Sequence, residues 1–221
     1  LSNTDLSGAD LSNANLSNAN LSNADLSGAN LSYTNLSDAR LIGTSLKNIN
    51  INEIDLSNRD LMYTNFHGTD FSKRDLSNSN LSYSVLTDSD FSETLLHNVK
   101  WRGANLSNSD LSGQNLSGMN FLEANLSNAD LSNADLSRVE FYKTNLENTN
   151  LDGALFTNTK FMQVNLDKNI NFSYGDNILG DVAIVDSKIQ GSEFPKTMGG
   201  LNFRNTILKD VDFSNKIIKF S

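Results

Sequence analysis

The sequence predicts a solenoid, a fold in which the chain coils repeatedly and turns a corner in every short unit. A large apolar residue stands at every fifth position over residues 1–166, without one slip in register. A step of five residues walks about 140° around an α-helix, so a helix would scatter these residues over its surface. An odd step also alternates faces along a straight strand. A fixed short period that buries its apolar side only by stacking is typical of solenoids.

Each unit of five residues has a recurring chemistry around this apolar position, which we call the centre. The residue two positions before the centre is small, as Ala24 is before Leu26, and we expect it to face the core too. Asp or Asn, such as Asp25, stands between them, and Ser with Asn or Gly follows the centre. Asp, Asn and Ser bond readily to nearby backbone, and Asn, Asp and Gly suit corners. The unit therefore fits a chain that turns every five residues.

The large apolar residues that directly follow a centre indicate a coil with four sides. They share one phase of a 20-residue period, whereas a three-sided coil would scatter them over all its sides. These residues are Ile42, Met62, Leu122, Tyr142 and Met162. The same phase predicts a stacked core column, whose members are Leu81, Trp101, Phe121, Phe141 and Phe161.

This pattern resembles the pentapeptide-repeat family over residues 1–166 and, less regularly, to the C-terminus. The resemblance implies an all-β fold, the right-handed quadrilateral parallel β-helix, with four five-residue units per coil. It also implies that the centre and the residue two before it point inward. At the inter-strand spacing of roughly 4.8 Å, about eleven coils would make a rod of roughly 50 Å.

We expect one elongated domain in two parts. Residues 1–166 form an uninterrupted repeat, and residues 167–221 form an irregular continuation with short loop insertions. Residues 168–181 could instead be one longer surface loop. The later centres are expected at Phe172, Leu179, Ile184, Ile189, Phe194, Phe203, Leu208, Phe213 and Ile218. Apolar residues at both ends, Leu1 and residues 217–220, favour self-association through the ends of the β-helix.

The outward positions predict a binding surface on the side of the coil that contains the centres Leu1 and Leu21. Single exposed apolar residues need no explanation, but a group rich in Met, Tyr and Arg on one side is typical of protein interfaces. This candidate interaction face comprises Ile42, Met62, Tyr63, Tyr83, Arg102, Leu122, Tyr142 and Met162. The alternatives are drift on a tolerant scaffold, or cover by the C-terminal segment or another copy of the chain.

The opposite side carries a candidate acidic face, formed by Asp70, Asp90, Asp110 and Asp130. The resemblance gives it a meaning, because some pentapeptide-repeat proteins bind bacterial type II topoisomerases such as DNA gyrase by imitating duplex DNA. The charge density argues against this role. Duplex DNA carries one charge per roughly 1.7 Å of axis, whereas the net charge of −9 gives one per roughly 5–6 Å of the expected rod. Ordinary corner-forming Asp residues explain the acidic face as well.

Four inward positions carry residues too large for them. Arg59 and Arg74 predict a local widening in which each guanidinium reaches outward, or alternatively a local anion site. Gln114 and Met119 also replace small residues and lie in the same coil as Trp101, so this coil should be distorted. Trp101 itself is expected to fill the core, with an indole N–H that needs an acceptor.

The sequence shows no pattern typical of catalysis. Cysteine is absent, and the two histidines, His67 and His97, follow centres on different sides. No Ser stands in a recognisable nucleophile motif, and the glycines form no phosphate-binding cluster. We therefore expect no enzyme, no cofactor and no metal. The acidic pI near 4.6 disfavours direct binding to nucleic acid.

Three functions remain open from the sequence. The first is a non-catalytic scaffold or interaction module with an unidentified protein partner, without a membrane segment and located in the cytoplasm. The second is an acidic DNA mimic that inhibits or protects bacterial gyrase. The third is the repeat region of a larger bacterial effector.

Overall fold

The fold is the right-handed quadrilateral parallel β-helix that the sequence predicts. The computed structural model describes residues 1–166, 182–191, 194, 197–199, 202–214 and 217–219. Outside two interruptions, parallel bridges join the residues before the centres to their counterparts one coil later. The first coil shows one bridge on each of four sides, namely Asp5 to Asp25, Asp10 to Asn30, Asn15 to Asn35 and Asn20 to Arg40. This 20-residue register confirms the four-sided coil.

The unit centred on Leu26 shows how five residues satisfy every backbone N–H. The Ala24 N–H closes the preceding corner on the Leu21 carbonyl, and the Asp25 N–H bonds to the coil below. The N–H groups of Leu26 and Gly28 donate to the coil above, while that of Ser27 donates to the Asp25 carboxylate at 2.9 Å. Buried backbone polar groups need partners, and this division supplies them without long strands.

The corner residues explain why Asn and Gly recur two positions after the centre. At these positions φ is positive, as at Asn23 (57°) and Gly28 (64°). A turn with a positive φ at its third residue is the type II geometry, which favours Gly and Asn. The preceding Asp or Asn oxygen accepts the remaining corner N–H, as Asp10 does from Ser12 at 3.0 Å. The repeat is therefore a corner motif as much as a core motif.

The core consists of the centres and the small residues two before them. Leu26 is fully buried and Ala24 nearly so. Along the predicted aromatic column the ring centroids are 6.0 Å apart from Trp101 to Phe121 and 5.7 Å from Phe121 to Phe141. Phe141 and Phe161 follow at 5.1 Å. The column is confirmed, and such pairs contribute roughly 0.5–1.5 kcal/mol each beyond area burial.

Longer strands appear toward the C-terminus. They are β1 (Glu140–Tyr142), β2 (Lys160–Met162), β3 (Asn165–Leu166), β4 (Ala183–Val185), β5 (Lys188–Gln190), β6 (Thr197–Gly199), β7 (Asn202–Arg204), β8 (Ile207–Lys209) and β9 (Ile217–Lys219). Three parallel sheets have the orders β1-β2-β4-β7, β3-β5-β8 and β6-β9.

Self-association through the ends of the β-helix stays a prediction. Leu1, at one end, is 54% exposed, whereas Phe220 lies outside the described residues.

The register continues past residue 166 by changing the length of a coil. Phe161 pairs with Ile184 in place of a residue 20 positions later, and Ile184 pairs with Phe203. On the next side, Leu166 pairs with Ile189, which pairs with Leu208. These four later centres are confirmed, together with the buried Phe194. The predicted centres Phe172 and Leu179, and the choice between coil and loop for residues 168–181, lie outside the described residues.

The backbone ladder is interrupted where residues 49–60 stack on the coil below. Neither Asn50 nor Asp55 forms a bridge, and Ile54 and Arg59 occupy inward positions where small residues are usual. Arg59 fills the gap, because its guanidinium donates to the carbonyls of Leu36 at 2.7 Å and Ala39 at 3.1 Å. The coil is widened here as predicted, but the Arg59 guanidinium does not reach outward into solvent, because backbone oxygens of the coil below bind it.

Arg74, in the coil above, also contacts the irregular residues 49–60. Its guanidinium donates to the Asn52 carbonyl at 2.7 Å, an oxygen that accepts the Tyr33 N–H in the regular pattern. The Tyr33 N–H turns instead to the Glu53 carboxylate at 2.9 Å. Side chains thus replace hydrogen bonds that the widened coil cannot make.

A second interruption separates residues 94–101 from residues 114–120. Bridges join Leu95 and Lys100 only to the coil below, and Asn115 and Asn120 only to the coil above. The inward residues at this step are Gln114 and Met119, as the predicted distortion requires. The Trp101 indole N–H, 3.2 Å from the Met119 sulfur, finds only a weak acceptor. The two coils part here and join again at Gly103, whose N–H donates to Leu122.

Candidate functional site

The candidate interaction face forms a ridge along one side of the rod. In the β1–β2–β4 sheet, Tyr142 pairs with Met162, which pairs with Val185. Because each lies one coil above the last, they partly cover one another and all are half-buried. Ile42, Met62 and Leu122 occupy the same position of earlier coils and are also half-buried. The ridge faces outward, and each of its side chains is partly covered by its neighbours along the ridge.

A stacked aromatic pair projects beside this ridge. The rings of Tyr63 and Tyr83 lie 5.3 Å apart at an interplanar angle of 11°. The Arg102 guanidinium lies 6.0 Å from the centroid of the Tyr83 ring and 3.6 Å from the Glu123 carboxylate. Tyr63, at the open end of the stack, is 57% exposed. The four side chains form a continuous column from an exposed ring to an ion pair.

Gly103 provides the space that the Tyr83 ring occupies. A Cβ atom added at Gly103 would meet ring atoms of Tyr83 at 2.4 Å, whereas one added at Gly113 would meet nothing within 4 Å. Neither Gly103 nor Glu123 is among the site residues predicted from the sequence. A comparison of positions 20 apart, from Tyr83 to Gly103 to Glu123, would have found both.

Two lysines on this side have partners as well. The Lys160 ammonium lies 2.6 Å from the Glu140 carboxylate one coil below. The Lys143 ammonium lies 5.4 Å from the centroid of the Tyr142 ring. Exposed pairs of this kind contribute little to stability, on the order of 0–1 kcal/mol. They hold the long side chains against the ridge, so that the tyrosine rings remain its most prominent features.

The candidate acidic face is a straight column. Bridges join Asp70 to Asp90, Asp90 to Asp110 and Asp110 to Asp130. Each carboxylate also accepts the N–H two residues later, for example that of Ser72 at 2.8 Å. Hydrogen bonds from Ser72, from its side chain and then its backbone, hold the pKa of Asp70 below its ordinary value. The column is therefore built from the same corner motif as the rest of the rod.

The described residues contain no group of three or more His, Asp or Glu side chains that could hold a metal ion. His67 bonds to the Thr87 hydroxyl at 2.7 Å and lies 3.3 Å from Asp88. In the described part of the chain no helix is long and apolar enough to cross a membrane.

Solved structures similar to this chain include three repeat proteins. Full-length QnrB1, a plasmid-mediated fluoroquinolone resistance protein, is 17% identical over 76% of this chain and 91% of its own, with a TM-score of 0.40. HetL from the cyanobacterium Nostoc sp. strain PCC 7120 is 25% identical over 99% and 86%, with a TM-score of 0.38. Rfr23 from the cyanobacterium Cyanothece 51142 is 30% identical over 52% and 62%, with a TM-score of 0.15.

The comparison with curated protein sequences gave no match. The family model for pentapeptide repeats matches in eight copies, over residues 1–38, 19–58, 39–73, 60–98, 75–113, 104–141 and 140–168. These matches cover well over half of the chain. The chain belongs to the pentapeptide-repeat family.

Proposed function

We propose that this protein is a non-catalytic β-helix that presents the side with Tyr63 and Tyr83 to a protein partner. The observation that carries the proposal is the stacked pair beside Arg102, held on a rigid corner-by-corner scaffold. Tyr and Arg are enriched among residues that dominate interface energies. The rings of Tyr63 and Tyr83 are already ordered by stacking. Binding would therefore cost less conformational entropy than it would with free side chains.

The ridge of half-buried apolar residues supports the same side as the contact surface. Leu122, Tyr142 and Met162 are spaced one coil apart and offer a continuous apolar strip next to the tyrosines. An apolar centre with a charged rim is the usual composition of protein interfaces. Here Arg102, Lys143 and Lys160 supply that rim, in which Glu123 and Glu140 pair with Arg102 and Lys160.

The test compares two exposed tyrosine sites in the same position of the unit. Tyr63→Ser with Tyr83→Ser removes the proposed anchor, whereas Tyr33→Ser removes a tyrosine that is 72% exposed on another side of the rod. We expect affinity capture followed by quantitative mass spectrometry to show a partner lost with the double variant and retained with the control. A partner set unchanged in both variants would contradict the proposal.

The acidic column supports a second candidate, binding to gyrase as a mimic of DNA. Its observation is the run of stacked carboxylates from Asp70 to Asp130. Asp70→Asn, Asp90→Asn and Asp110→Asn keep the corner acceptor and remove the charge. If the mimic operates, this variant loses its effect in a supercoiling assay with purified gyrase, and the Tyr63→Ser, Tyr83→Ser variant keeps it. The interaction proposal predicts no effect of the wild-type protein on supercoiling.

A further inference from the structure

The second interruption of the ladder opens a slit of about 1040 Å³ between two coils. Residues 94–102 line one edge and residues 114–122 the other. Regular hydrogen bonds between the two coils close the slit at both ends. At one end the Phe91 N–H donates to the Asp110 carbonyl at 2.9 Å, and at the other the Gly103 N–H donates to the Leu122 carbonyl at 2.8 Å. Its volume is at the upper end of the range for ligand sites, roughly 300–1,000 Å³.

Two inward side chains hold the coils apart. Gln114 donates from its amide to the Phe91 carbonyl at 2.7 Å, inside the coil below. Met119 contacts the Trp101 indole through its sulfur. Neighbouring coils carry Ala124 and Ala134 at inward positions, and their ladders are continuous. The slit is thus a consequence of two bulky residues in consecutive units.

The edges of the slit expose backbone groups that the regular pattern would pair. Along the lower edge the N–H groups of Leu96, Asn98 and Trp101 form no hydrogen bond within the described part of the chain. In the regular pattern these N–H groups would donate to the carbonyls of Asn115, Ser117 and Asn120 on the upper edge. Those carbonyls receive no hydrogen bond from the lower edge. Rows of N–H and C=O groups that face each other across a gap are the features to which an added strand binds.

The charge at the slit opposes that of the whole protein. Lys100, Arg102, Arg138 and His97 line it, and no Asp or Glu does. Lys100 and Arg138 make no ion pair among the described residues, whereas Arg102 is paired with Glu123. Leu95, 60% exposed, stands where Asp or Asn is usual and adds an apolar contact at the mouth. A cationic site on a chain of net charge −9 favours an anionic ligand.

We propose that this slit binds an acidic peptide segment in an extended conformation. A peptide backbone offers donors and acceptors to both edges, as neither a simple anion nor an apolar molecule does. The side chains on the outer face of the peptide would lie near Lys100 and Arg138. The slit shares Arg102 and Leu122 with the proposed interaction face, but neither Tyr63 nor Tyr83 lines it, so the inference goes beyond the proposed function.

The probe is an acetylated and amidated octapeptide of alternating Glu and Val, with an alternating Lys and Val peptide and inorganic phosphate as comparisons. We expect isothermal titration calorimetry to detect binding of the Glu peptide only. Amide hydrogen exchange, read by NMR, should show that Leu96, Asn98 and Trp101 exchange fast in the free protein and slow on binding. Tyr63→Ser with Tyr83→Ser should bind the peptide unchanged.

Two variants sharpen the test. Lys100→Gln with Arg138→Gln should weaken binding by at least about tenfold, because two charge-assisted contacts are lost. Gln114→Ala with Met119→Ala should close the ladder, protect the three amides without any peptide, and abolish binding.

Four results would overturn the proposal. They are slow exchange of these amides in the free wild-type protein, equal binding of the Glu and Lys peptides, protection by phosphate that matches protection by the peptide, and no binding at all. If Gln114→Ala with Met119→Ala fails to fold, unchanged peptide binding by Lys100→Gln with Arg138→Gln would still contradict the proposal.

Discussion

At the scale of single residues, one backbone oxygen decides which polar side chains the core accepts. The carbonyl of a centre one coil below receives the Thr44 hydroxyl at 2.9 Å, the Arg59 guanidinium at 2.7 Å and the Gln114 amide at 2.7 Å. Each donor stands two residues before a centre and reaches back 23 residues. A buried polar group is tolerated when it is hydrogen-bonded, so Thr, Gln and Arg can replace Ala here.

Arg59 provides a test of this rule. Arg59→Met keeps most of the inward volume but removes the donors to Leu36 and Ala39, and we expect a loss of about 2 kcal/mol in unfolding free energy. Arg59→Ala should cost less, because a small residue lets the Asp60 N–H return to the Ala39 carbonyl as in regular coils. Guanidinium denaturation measures both. A larger loss for Ala than for Met would show that the arginine acts by filling space.

The Asp at a corner links stability to pH. Hydrogen bonds from Ser77, first from its side chain and then from its backbone N–H, lower the pKa of Asp75. A lowered pKa contributes stability that is present above the unfolded value, about 3.9, and is lost as pH falls through the folded value. We expect acid to destabilise the rod below about pH 4. Asp75→Asn, which retains the acceptor, should reduce that loss, and identical stability-against-pH curves would refute this.

At the scale of the structural element, the five-residue unit was predictable and the fit between coils was not. Spacing alone predicts the centres, the four sides and the column from Trp101 to Phe161, because each follows from period and volume. The sequence also marks Gln114 and Met119 as too large. The sequence does not show how the coil accommodates these two residues. The coil could bulge outward or could separate from its neighbour, and both arrangements fit the same sequence pattern. The Tyr63–Tyr83 stack likewise depends on the rotamers of two residues 20 apart.

The corner glycines test the element that holds the tyrosine pair. Gly103→Ala and Gly113→Ala both place a Cβ at a positive φ, 64° and 67°, so both carry the same backbone strain of roughly 1–2 kcal/mol. Only Gly103→Ala also displaces the Tyr83 ring. We expect equal changes in stability apart from this clash, and altered ring chemical shifts of Tyr63 and Tyr83 in the first variant alone. Unchanged shifts there would place the stack elsewhere.

At the scale of the whole molecule, each coil contacts only its neighbours, so stability is a sum along one dimension. The coil step above Leu96 lacks ladder bonds that other steps have. It is therefore a weak interface within the repeat, where one part of the rod should separate from the other. The first interruption lacks ladder bonds too, but the Arg59 guanidinium spans it with two hydrogen bonds.

Closing the slit should make unfolding more cooperative. In Gln114→Ala with Met119→Ala we expect a steeper guanidinium transition than in the wild type, because more surface unfolds in one step. Phe141→Leu is the control, since it weakens the stacking between coils elsewhere and leaves the backbone ladder at the slit unchanged. A slope unchanged in the double variant would mean that the rod already unfolds as one unit.

The 20-residue coil also governs how such a gene can change length. Duplicating a whole coil lengthens the rod and leaves every side chain on its original side. Duplicating a single unit of five is equally acceptable to the core, yet it rotates everything downstream by a quarter turn and would carry Tyr142 and Met162 away from Tyr63. The three extra residues between Phe161 and Ile184 avoid that rotation, because the pairing resumes on the same side. Descendants of this chain can therefore keep their fold and lose their aligned surface in a single copying error.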